Sequence, residues 1–162
     1  MAEAIAALGV AAGALQLADL GARLSVRLFT VSKQVKNATT TYSAISQEVS
    51  FTSSVLKQLH DTLQDGGQQK AHNQKSLVVL QELTKDCKEI FCDIESMVTF
   101  CAKPGTNSTS KTFSQWRHRL SLPYKEKTIA EHQCKLERVK SLLSLMLHML
   151  SLAAQVKNSQ NG

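Results

Sequence analysis

The sequence predicts an all-α fold, an antiparallel helical bundle of about five helices. Three observations carry this. Only two of the 162 residues are proline and seven are glycine, which leaves long stretches without a breaker. Within those stretches apolar side chains recur at three- and four-residue steps, the signature of one buried helical face. The breaks between them are short, polar and rich in Gly, Ser, Thr or Asn. The length suits one domain, predicted over residues 1–157, with a polar tail at 158–162.

The first helix is expected near 3–36, with a break allowed at Gly21. Its opening, Met1 to Leu20, is Ala-rich and almost uncharged, and Ala and Leu are strong helix formers. The uncharged run from Ala4 to Ala18 is shorter than the ~18–20 residues that cross a bilayer. Beyond it Leu17, Leu20, Leu24, Leu28, Val31 and Val35 mark a buried stripe. Thr39, Thr40 and Thr41 suit a turn and a new N-cap.

A second helix is expected near 41–64. Tyr42, Ile45, Val49, Thr52, Leu56, Leu59 and Leu63 step by three and four, close to a heptad seam, and Asp65-Gly66-Gly67 ends it. After a polar loop from Gln68 to Lys75, the third helix is expected near 76–102. Its stripe runs Leu77, Leu80, Thr84, Cys87, Phe91, Ile94, Val98, Cys101, and Pro104-Gly105 stops it. A short helix near 112–121 would carry Phe113, Trp116 and Leu120 into the core. The last helix is expected near 124–156. Ile129, Leu136, Val139 and Leu143 share one face of its first half. Leu142 to Ala154 is apolar nearly all round, which predicts burial on several sides. Trp116, Leu136 and Leu143 are the expected core anchors.

No constellation for catalysis appears, so the expectation is no enzyme, no cofactor and no metal. There is no GxSxG, HExxH or paired-carboxylate pattern. Cys87, Cys92, Cys101 and Cys134 form no CxxC pair and have no His at ligand spacing. Cys87 and Cys101 fall on one helical face as small buried hydrophobes. The N-terminus lacks the basic region of a signal peptide, so the reading is reduced thiols in the cytoplasm, with the sequons at Asn37 and Asn107 unused. Gly105 to Thr112 imitates a phosphate-binding loop, but Ser110 stands where the second glycine belongs and a helical stripe precedes it. The expectation is a plain linker and no nucleotide.

The net charge is +6. Lys103, Lys111, Arg117, Arg119, Lys125 and Lys127, with Glu126 the only acid between them, hold most of it. A solvated surface is the first reading; Lys111, Arg117, Arg119, Lys125 and Lys127 are the candidate patch for an anionic partner, an acidic protein or a lipid headgroup. Nucleic acid is not expected, because aromatics are 5 % and no dense basic run appears. Leu8, Gly9, Gly13, Leu15 and Leu17 form the candidate membrane or oligomerisation helix. Gly9-Val10-Ala11-Ala12-Gly13 is a GxxxG, which permits tight packing against a neighbour in a bundle and close helix pairing in lipid. Its small side chains suggest a first helix held less firmly than the Leu-rich last one.

Two stretches carry a family resemblance. Leu8 to Ala18, with Gln16-Leu17-Ala18 near the middle of a small-residue helix, is one. Trp116 to Ala153 is the other, with its Pro123-Tyr124-Lys125 step and Leu136-Glu137-Arg138-Val139-Lys140-Ser141-Leu142-Leu143. Together they resemble the fungal N-terminal domain of STAND-type NTPases, a HeLo-like and SesA-like helical domain also found at the start of azaphilone pigment cluster proteins. The resemblance implies a non-catalytic signalling or effector domain in innate immunity and programmed cell death. It would act through protein contacts, with itself or with a receptor or adaptor, and through insertion of the first helix into an anionic membrane. The alternative is a soluble adaptor without membrane activity. Unlike the receptor pattern, no nucleotide-binding domain is expected within these 162 residues, whether they are a fragment of a longer receptor or a complete small protein.

Overall fold

The computed structural model describes residues 2–34, 39–66, 74–102 and 123–160, and all of them are helical. The four helices are α1 (Ala2–Gln34), α2 (Thr39–Gly66), α3 (Gln74–Ala102) and α4 (Pro123–Gln160). α1 runs through Gly21 without a break. The expected helix at 112–121, and with it Trp116, lies outside the described residues. α3 takes up Gln74 and Lys75 from the expected loop, and α4 runs to Gln160, so most of the expected polar tail is helix. Once a long helix is propagating, each further polar residue adds a hydrogen bond at little cost.

Contacts between side chains fix the arrangement. α1 packs on α2 and α3, and α4 packs on the same two helices. Arg27 of α1 reaches Glu95 and Thr99 of α3 at 3.3 and 3.1 Å, late residues against late residues, so that pair is parallel. Lys140 of α4 pairs with Glu48 of α2. α1 and α2 are antiparallel. The antiparallel expectation therefore holds for α1–α2, and the bundle also contains a parallel neighbour pair.

The core is the set of stripes the sequence announces. Tyr42, Ile45, Val49, Leu56, Leu59 and Leu63 are fully buried on α2, as are Leu80, Cys87, Phe91 and Ile94 on α3 and Leu136 and Leu143 on α4. Leu24 and Leu28 join them from α1.

The α1–α2 contact is built differently from the others. α1 faces the core with Ala7, Ala11, Ala14, Ala18 and Gly21, small residues that let a neighbouring backbone come close. Three α2 side chains, spaced by seven residues, then reach main-chain oxygens across the interface. Ser46 Oγ donates to Ser25 O at 2.8 Å, Ser53 Oγ donates to Ala18 O, and His60 Nδ1 lies 2.9 Å from Ala11 O. A serine hydroxyl extends one atom past Cβ, so such bonds require two helices in near-backbone contact. A carbonyl only accepts, so His60 carries its proton on Nδ1. Each bond contributes about 0.5–1.5 kcal/mol.

Candidate functional site

α1 places its five candidate residues in two groups. Leu17 is buried and belongs to the core, whereas Leu8 is exposed and Leu15 borders solvent. A Cβ built on Gly9 or Gly13 meets nothing within 4 Å. The GxxxG therefore does not seat a neighbour inside the bundle. Enlarging these glycines does not overpack it either. The glycine that permits close packing is Gly21: a Cβ there would lie 2.8 Å from Phe91 Cε2 and 3.1 Å from Ser53 Cβ. Helical periodicity places all three glycines on a helix but does not say which one a neighbour touches.

The candidate anionic patch is mostly beyond view. Lys111, Arg117 and Arg119 lie outside the described residues, and Lys125 is described only as backbone in the first turn of α4. Lys127 is exposed.

α4 departs furthest from expectation. Its apolar second half is not buried on several sides. Leu143, Leu147 and Leu150 turn into the bundle, while Leu142, Leu145, Met149, Leu152 and Val156 are 40–60 % exposed. The reason is position. Among the described residues α4 packs on α2 and α3, which lie against one side of it, so the other side is an outer face whatever its composition. No charged residue occurs between Lys140 and Lys157, so this outer face is apolar and uncharged.

Two recesses mark the surface. A groove of about 820 Å³ lies between α1 and α3, lined by Gly13, Leu17, Leu20 and Val78 with Arg23, Glu82 and Lys88 among its charged rim. A smaller one of about 370 Å³ lies between α3 and α4, where Asp86, Glu89 and Asp93 face Lys135 and Arg138 beside His132. His132 is buried, and among the described residues its Nδ1 has no hydrogen-bond partner. Burial holds its pKa below the ordinary value, with Asp93 pulling the other way. Burial, aided by Asp86, pushes the Cys87 thiol up to about 12, which makes it a packing residue and no nucleophile. Among the described residues no group of three or more His, Cys, Asp or Glu is placed to hold a metal ion.

The fold and this surface define a class: an all-α bundle whose most conspicuous feature is an apolar, uncharged helix face open to solvent. No family model, no curated protein and no solved structure matches the chain.

Proposed function

We propose that this chain is a non-catalytic signalling or effector domain that works through helix-mediated contact, as the STAND N-terminal domains it resembles are expected to do. The outer face of α4 carries the reading. Contiguous exposed apolar surface on a soluble bundle marks an interaction site, and five large apolar side chains in one row form such a patch. Cys87 is buried and held as a neutral thiol, which leaves it to packing.

Membrane attachment is the second reading. Ala4–Gln34 and Lys127–Gln160 are long and apolar enough to cross a bilayer by length and composition. In this reading α4 is the better placed of the two, because its apolar stretch is the less buried.

The test is expression of the intact chain in fungal cells, scored for growth arrest, beside a Leu145→Glu/Met149→Glu variant with unchanged helix content. Growth arrest by the intact chain and its loss in the variant are expected. An equal response to both proteins, or none to either, overturns the assignment. Dye release from anionic vesicles, expected only if lipid is the target, separates the second reading from the first.

A further inference from the structure

α4 carries two apolar rows, and the bundle uses one. Leu136, Val139, Leu143, Leu147 and Leu150 face inward. The outer row, Leu142, Leu145, Met149, Leu152 and Val156, advances by three, four, three and four residues. This is the a/d pattern of a coiled-coil seam over two heptads, about 21 Å of helix at 1.5 Å per residue.

We propose that this outer row is a self-association seam that pairs with the same row of a second copy, antiparallel, about a two-fold axis midway between Met149 and Leu152. The proposal rests on the contact-domain reading above and names its partner.

Charge selects that partner. The flanking positions Ser141, Met146, His148, Ala153 and Gln155 hold no acid, Lys or Arg. A charged protein surface finds nothing to pair with there. A second uncharged seam loses no solvated ion on contact. An anionic lipid surface is disfavoured on the same ground, because interfacial helices place Lys and Arg all along the polar border, whereas here Arg138 and Lys157 stand only beyond the two ends of the row.

Charge also selects direction. The first half of α4 carries Lys125, Lys127, Lys135, Arg138 and Lys140 against Glu126, Glu131 and Glu137. Parallel pairing would set two net-positive halves side by side. Antiparallel pairing about this axis puts Lys127 of one copy about 70 Å along the helix direction from Lys127 of the other, far beyond the ~8–10 Å screening length.

Size sets the strength. Five half-exposed side chains per copy, with their flanks, bury on the order of 1,000 Å² in total, the lower edge of a specific interface. The dimer is therefore reversible and concentration-dependent.

Sedimentation velocity of the intact chain across the micromolar range tests this. A monomer–dimer equilibrium is expected. Met149 of one copy meets Leu152 of the other across the axis, so Met149→Glu alone and Leu152→Lys alone should each weaken association about tenfold or more. Mixing the two variants should restore it, because Glu then faces Lys. Circular dichroism checks that both keep full helix content, as an exposed position permits. A chain that stays monomeric throughout, or that dimerises equally with Met149→Glu, overturns the proposal. Flotation of a monomeric intact chain on anionic vesicles, lost in Met149→Glu, would also overturn it and assign the face to lipid. Absence of a dimer with growth arrest retained would sink the self-pairing alone and leave the contact-domain reading standing.

Discussion

α1 and α4 are both long and apolar enough to cross a bilayer, yet 39 % of the apolar stretch of the first is buried and only 17 % of that of the second. The two helices differ in the size of what they present to the core. α1 offers alanine and glycine, so α2 comes close and three α2 side chains bond its carbonyls. α4 offers leucines on both sides of its cylinder and has neighbours on one. Small residues were the ground for expecting α1 to be the weakly held helix. The structure buries more of α1 than of α4, because small side chains exchange their own buried area for backbone proximity and for hydrogen bonds that larger ones would block.

Gly21 is where that comparison breaks hardest if it is wrong. In an open helix, Gly→Ala stabilises by about 0.5–1 kcal/mol through lower backbone entropy in the unfolded chain. At Gly21 the new methyl would stand 2.8 Å from the ring of Phe91, which is fully buried and has nowhere to move. Gly21→Ala is expected to destabilise by about 1–3 kcal/mol, the range for overpacking, as read by urea denaturation. Stabilisation by this change would mean that Gly21 is not packed against Phe91 of α3 and Ser53 of α2.

Gly9 and Gly13 sharpen the same point with the opposite sign. Their Cβ positions open on solvent, so each Gly→Ala should raise stability by about 0.5–1 kcal/mol with no change in the steepness of the transition. A loss at either position would place a neighbour against this face.

The stripes of α2 and α3 were legible because polar residues separate the apolar ones, which fixes the face that turns inward. Tyr42 through Leu63 and Leu77 through Val98 are buried as read. The second half of α4 was not legible for the converse reason. A helix apolar all round has no preferred azimuth, and only the number of its neighbours decides which leucines are covered. Ser46, Ser53 and His60 were missed as well. Their heptad spacing was visible, but hydroxyl and imidazole groups on a buried seam read as a polar face until the carbonyls opposite them are known. The outer row of α4, now the candidate site, was thus assigned to the core, while the Gly9/Gly13 pair was given a packing role that belongs to Gly21.

The smallest effect lies at the α3–α4 contact and depends on pH. His132 is buried with Nδ1 unpartnered among the described residues, so its neutral form is the one the fold accommodates. Burial lowers its pKa most strongly and Lys135 adds to this, while Asp93 and Glu131 oppose it. Asp86, Glu89 and Arg138 complete the charged surroundings of the recess. The unfolded chain takes up this proton near the ordinary value of 6.5, before the folded chain does. Between those two values the unfolded state binds more protons, so stability rises with pH there. The contribution is therefore complete above about pH 6.5 and declines as the pH falls from 6.5 toward the folded value. The acidic neighbours offset part of the burial penalty and so narrow that window. His132→Leu removes the titrating group and is expected to flatten the stability profile between pH 7 and 5 relative to the parent, measured by denaturation at each pH. A parent that grows more stable on acidification across this window, with the slope abolished by His132→Leu, would mean that His132 is held charged in the fold, and the contrast between a tightly bonded α1 and a loosely satisfied α4 would lose its second leg.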